Sequence, residues 1–174
     1  MTKHNPGVRV PPQSRKSLRA IATSVHFALQ HDCKKPFPIV EITELVLPKL
    51  INDFDFQVRS IEEMGNDHGM TYPDRHIMCI REDVYERACR DYGRDRYTMC
   101  HEFAHLLIHE GIDVALARGE DPLKPYEDSE WQANALAGEL LMPYAEIRGM
   151  SPDEVSSIYL VSAAAAKTQL RLIG

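Results

Sequence analysis

Two histidines four residues apart, the first followed directly by a glutamate, lie in an apolar stretch: Tyr97-Thr98-Met99-Cys100-His101-Glu102-Phe103-Ala104-His105-Leu106-Leu107-Ile108-His109-Glu110. At about 100° per residue, a helix places His105 one turn on and about 40° round from His101, with Glu102 about 100° round. Two imidazoles so placed can grip one metal ion, while the glutamate reaches a water on that ion rather than the ion itself. Zinc lowers the pKa of a bound water to about 7, and a neighbouring carboxylate can then act as a general base. The residues therefore predict a helix ending at about His109, capped by Asp95 and stopped by Gly111, with Cys100, Ala104, Leu107 and Ile108 as its buried arc. Such a helix needs a second element beside it to complete the ion's shell, and that requirement limits the folds available.

The third ligand separates the possibilities. A third histidine ten residues after the first would define one class of zinc peptidase, but that position holds Gly111. His109 lies about 80° round from His101 and two turns along the axis, too far to share a tetrahedral ion. Hydrogen bonding to a ligand, or a contact with the dipole at the helix C-terminus, suits it better. A glutamate from a following helix is the other solution. In Glu130-Trp131-Gln132-Ala133-Asn134-Ala135-Leu136-Ala137-Gly138-Glu139-Leu140-Leu141-Met142, the residues within about 60° of Glu130 are Ala133, Asn134, Ala137 and Leu141. The alanines let two helices approach, Glu130 could reach the ion, and Asn134 could orient the free ring nitrogen of His101 or His105. Glu127 and Asp128 precede this helix, and Glu139 points about 180° away from Glu130. Two histidines and a carboxylate suit Zn2+ best and tolerate Mn2+ or Fe2+.

The surrounding chain is one domain's worth, 174 residues. Residues 1–20 hold five basic side chains and no acidic one, leaving 15 basic against 26 acidic residues in the rest. An acidic body argues against a nucleic-acid phosphate backbone as ligand. Residues 1–13, with Pro6, Gly7, Pro11 and Pro12, read as a flexible basic tail, and residues 14–174 as a single domain. Ser14 opens a helix carrying Leu18, Ile21, Ala22, Val25 and Leu29. His26 falls off that stripe and reads as structural or superficial, as do His68 and His76. A second helix runs from about Val40 to Leu50, weakened by Pro48. Period-two alternation at Phe54–Ser60 and an apolar run at His76–Ile80 predict two or three antiparallel strands. A short helix follows over Arg81–Arg90. A long connection, residues 111–128, which could be a lid or a passive loop, leads to the Glu130 helix, capped by Asp128 or Ser129. Ser151-Pro152 and Ser162 open two last helices with the outline of a helix-turn-helix, the second running to Ile173. They carry only Lys167 and Arg171 against Asp153 and Glu154, too few cations for a DNA-reading unit. Four cysteines without a CxxC pair, no apolar N-terminal leader and no apolar run near the roughly 20 residues of a membrane span point to a cytoplasmic protein.

Arg96-Tyr97-Thr98 through His109, paired with Glu130 through Pro143, resembles the ImmA/IrrE-type metallopeptidases. Ile77–Tyr85 and Leu160–Gly174 are similar as well, so the resemblance covers about residues 15–174. It implies an α+β fold: a mostly helical zincin-like core of the gluzincin type, a small antiparallel sheet of about three strands, and C-terminal helices resembling a helix-turn-helix. It also implies His101, His105 and Glu130 as zinc ligands and Glu102 as the catalytic glutamate. Ala104 stands where the family usually has glycine. The implied activity is zinc-dependent hydrolysis of a partner protein, typically a helix-turn-helix repressor encoded nearby on a phage or mobile element, with relief of repression. The alternative is a metal-stabilised regulator that binds and sequesters a partner without cutting it, of the antirepressor or toxin–antitoxin type.

Overall fold

A computed structural model describes residues 7–112 and 122–172. Residues 1–6, 113–121 and 173–174 lie outside the described residues, and with them fall Lys3, half of the 111–128 connection and its possible role as a lid, and the predicted end of the last helix.

Helix α1, Arg15–Ala28, begins where the Ser14 hydroxyl accepts from the Ser17 amide. Helix α2, Ile39–Glu41, continues through a π turn, Ile42–Val46, into α3, Leu47–Leu50. Pro48 accounts for the π turn: it has no N–H to donate, and its ring would collide with the carbonyl four residues back in a regular helix. Strand β1, Asp55–Arg59, is followed by the one-turn α4, Ile61–Met64, which carries a capping box between Ser60 and Glu63. Strands β2, Gly69–Tyr72, and β3, Ile77–Arg81, are joined by a 3₁₀ turn at Pro73–Arg75 and by His76 in the left-handed region. Helices α5, Glu82–Ala88, and α6, Gly93–Ile108, come next; α7, Ser129–Leu141, α8, Tyr144–Ile147, α9, Pro152–Tyr159, and α10, Ala163–Arg171, complete the order.

The sheet is mixed and not wholly antiparallel, with strand order β1-β3-β2. The tight turn makes β2 and β3 antiparallel, as expected, but the chain reverses twice between β1 and β3, so that pair runs parallel. Period-two patterning marks strands and carries no information on the direction of a neighbour.

Three other expectations change. Asp95 does not cap α6, which starts two residues earlier with Tyr92 at its N-cap. Asp95 is buried and accepts two hydrogen bonds from the Arg87 guanidinium, at 2.9 and 3.0 Å, tying α6 to α5. The buried flank of α6 is Met99, Cys100, Phe103, Ala104 and Leu106, whereas Leu107 is exposed. Residues 7–13 do not hang free as a tail. Val8 exchanges hydrogen bonds with Ser129, Val10 N–H donates to the Glu127 carbonyl, Gln13 N–H donates to Tyr126, and Arg9 pairs with Glu127 at 2.6 Å.

The core joins Leu18 and Ala22 of α1, Phe37, Ile39, Met78 and Ile80 to Met99 and Phe103 of α6 and Leu136 and Leu140 of α7. Glu139 of α7, 1 % exposed, is held by Arg15 Nη1 at 3.0 Å and by Arg19 Nε and Nη2 at 3.0 and 3.2 Å. Removing the anion strands two partly buried guanidinium groups between α1 and α7. Glu139→Ala is expected to cost about 3 kcal/mol, read as a lowered urea midpoint; an unchanged midpoint would mean this triad contributes nothing net.

Candidate metal centre

Helix α6 lies between α7 and the edge strand β2 and carries the half-buried His101 and His105. From α7, Glu130 comes in one residue after the N-terminus, where the Asp128 carboxylate accepts from its amide. His101 Nε2 and His105 Nε2 are 3.1 Å apart, Glu130 Oε2 is 3.1 Å from the first, and Glu130 Oε1 is 3.2 Å from the second. Donors at about 2.0–2.1 Å from a tetrahedral ion are separated by about 3.3 Å. The three side chains thus fit a divalent ion in donor type and in spacing.

Hydrogen bonds outside this triangle fix where the protons are. Both amide protons of Gln132 go to carbonyls, Pro11 and Tyr126, each at 2.8 Å. Its Oε1 therefore faces His109 Nε2, at 3.2 Å, as an acceptor. His109 must donate from Nε2 and accept at Nδ1, which lies 2.8 Å from His105 Nδ1. His105 then donates from Nδ1, leaving its Nε2 lone pair aimed at the centre. On the other side His101 Nδ1 donates to Asn134 Oδ1 at 3.1 Å, so its Nε2 lone pair also points inward. Burial, with the neighbouring His105, lowers the His109 pKa to about 4, which keeps it neutral and its Nδ1 an acceptor. Two lone pairs and a carboxylate therefore converge on one point, an arrangement that calls for a cation there.

The electrostatics agree. A proton on His101 Nε2, standing in for the cation, would donate to Glu130, and that contact and then the one with His105 hold the Glu130 carboxyl well below the usual carboxylate range. Burial works against charge on His101, yet the Glu130 hydrogen bond and the Glu102 and Glu130 charges raise its pKa on balance. Glu102, 7 % exposed, is pushed the other way: burial raises its carboxyl pKa against the lowering pull of His101. Its orientation is set by β2. Thr71 Oγ1 donates to Glu102 Oε2 at 2.7 Å, and a Cβ on Gly69 would stand 2.6 Å from Glu102 Cγ. Only glycine leaves room at that point of the strand.

The side chains that helical spacing placed on two separate faces, His101, His105, Glu102, Glu130 and Asn134, lie together here, and His109 joins them through His105. The other carboxylates are occupied elsewhere: Glu127 with Arg9, Asp128 as the helix cap, Glu139 with Arg15 and Arg19. His76 faces the Asn52 carbonyl and Glu110, away from this cluster. Sequence reasoning did not find Gln132, Thr71 or Gly69. Of these only Gly69 carried a signal, a glycine inside a strand pattern, which marks a close approach.

Residues 52–171 match the family described as the IrrE N-terminal-like domain, peptidase family M78. The chain belongs to that family. No curated protein matches it. The matched span contains the whole cluster, and membership in this peptidase family implies a metallopeptidase acting on a protein substrate. No helix among the described residues is long and apolar enough to cross a membrane.

Proposed function

We propose that the chain is a metalloendopeptidase, zinc-dependent in its native form, that cleaves a helix-turn-helix transcriptional repressor encoded nearby on a phage or mobile element and so relieves repression. His101, His105 and Glu130 hold the ion, and Glu102 is the catalytic residue. The observation that carries this reading is the convergence of three proton-free donor atoms, locked by Asn134 on one side and by His109 and Gln132 on the other, beside a carboxylate aimed by Thr71. Manganese or iron would satisfy the same donors.

A divalent ion at this point supplies a Lewis acid that polarises the scissile carbonyl and makes water a better nucleophile. The remaining work falls to the protein. Glu102 takes the proton from the attacking water and passes it to the departing amide nitrogen. Thr71 keeps one carboxylate oxygen engaged, so the other is left for the transfer. Strand β2, at the edge of the sheet beside α6, offers backbone groups on which an extended peptide can lie.

The repressor part of the proposal rests on the family resemblance, and the test addresses it directly. The purified protein is incubated with the helix-turn-helix repressor encoded beside its gene, with and without a chelator. Discrete fragments that vanish with chelator are expected. A stable complex without fragments would replace hydrolysis by sequestration.

A further inference from the structure

Among the described residues a second group of side chains has the composition of a metal site: His26, His31 and Cys33, one donor atom of each lying within 4.8 Å of the other two. It lies outside residues 52–171, at the far end of α1.

Local backbone geometry creates it. Helix α1 ends in a Schellman motif: Gln30 N–H donates to the Phe27 carbonyl, His31 N–H donates to the His26 carbonyl, and Gln30 adopts φ +51°. This motif brings the residue after the left-handed position back over the one that begins the last turn, where an apolar pair commonly meets. Here two imidazoles meet, Nδ1 to Nδ1 at 3.0 Å. Asp32 then turns the chain by accepting from the Lys34 amide, which returns Cys33 to the same place.

The proton pattern is the argument for an ion. His31 Nε2 faces the Pro36 carbonyl at 3.2 Å and must donate to it, so neutral His31 presents a bare Nδ1. To hydrogen-bond that nitrogen, His26 would have to carry its proton on Nδ1 and leave Nε2 bare. Yet His26 is 4 % exposed and its Nε2 is buried without a hydrogen-bond partner, while burial and then the neighbouring His31 lower its pKa to about 4 against a smaller raising pull from the Leu140 carbonyl. A neutral His26 can instead carry its proton on Nε2, and a cation between the two bare Nδ1 atoms is then ligated by both. The 3.0 Å separation is close to the about 3.3 Å edge of a tetrahedral site, and the Cys33 sulfur lies within 4.8 Å of a ring nitrogen of each histidine. Burial, and then the charges of Glu146 and Asp32, raise the Cys33 thiol pKa, and the same two carboxylates give the place a negative field that attracts a cation. The three residues line a cavity of about 500 Å³ with Glu146 and Tyr144, which leaves room for a fourth donor.

We propose that His26, His31 and Cys33 form a second metal site, selective for a borderline-soft divalent ion such as Zn2+, that staples the end of α1 to the loop before Phe37. Its donor set contains a thiolate, which the His101–His105–Glu130 cluster lacks, and this makes the two sites separable by spectroscopy.

The test is cobalt substitution of the full chain. The wild-type protein is expected to bind two Co2+ per chain and to show a thiolate-to-cobalt charge-transfer band. Glu130→Gln should retain the band and lose one equivalent of cobalt, while Cys33→Ser should lose the band and keep the other equivalent. Absence of the band in the wild-type protein would overturn the proposal without touching the peptidase reading, and so would its persistence in Cys33→Ser. The wild-type measurement needs no variant to fold.

Discussion

Glu102→Gln is expected to leave the metal content unchanged and to slow cleavage of the protein substrate by about 10²–10⁴-fold, the usual contribution of a general base. The substitution is close to isosteric. Thr71 Oγ1, which donates to Glu102 Oε2 at 2.7 Å, can still find an amide oxygen there, and the glycine at position 69 leaves the same space. What disappears is the ability to accept a proton. Single-turnover cleavage assays beside elemental analysis separate the two effects. Cleavage at the wild-type rate would remove Glu102 from the mechanism.

Glu130→Gln should do the opposite and strip the ion. The carboxylate is the one anionic donor of the three, and it meets both histidines at 3.1–3.2 Å. Its loss should weaken metal binding more than the roughly 10–100-fold expected for Asn134→Ala, which leaves all three donors and removes only the acceptor that orients His101. Cleavage should fall in parallel with occupancy and recover in part at high metal concentration. Metal titrations of the two variants give the comparison. If Asn134→Ala weakened binding more than Glu130→Gln, the third donor would have to be sought elsewhere.

Much of this could be read before any coordinates because helices impose a period. His101 and His105 share a face by spacing alone, the turn of α7 sets Glu130 and Asn134 apart from Glu139, and hydroxyl caps at Ser14, Ser151 and Ser162 mark helix starts. What remained hidden depends on partners outside the residue's own helix or strand. Asp95 looks like a cap because caps are local, yet its partner is Arg87 on the preceding helix. Strand direction at β1 follows from how many times the chain turns back. The locking role of Gln132 is invisible because two of the groups that define it are backbone carbonyls, and every residue type brings the same carbonyl. His26, read as structural or superficial, is buried, and its nearest imidazole arrives through a left-handed residue, Gln30, whose side chain gives no warning of it.

The hydrogen bond from Gln132 to the Pro11 carbonyl has a thermodynamic consequence. The stretch around Pro11 docks onto the start of α7, and the same amide group that holds it there decides which nitrogen of His105 is bare. Docking and ion uptake are therefore linked. Whatever factor the seated segment adds to the affinity for the ion, the bound ion returns to the seating of the segment. The centre is in this sense complete only when residues 8–11 are closed onto a helix that begins some 120 positions later.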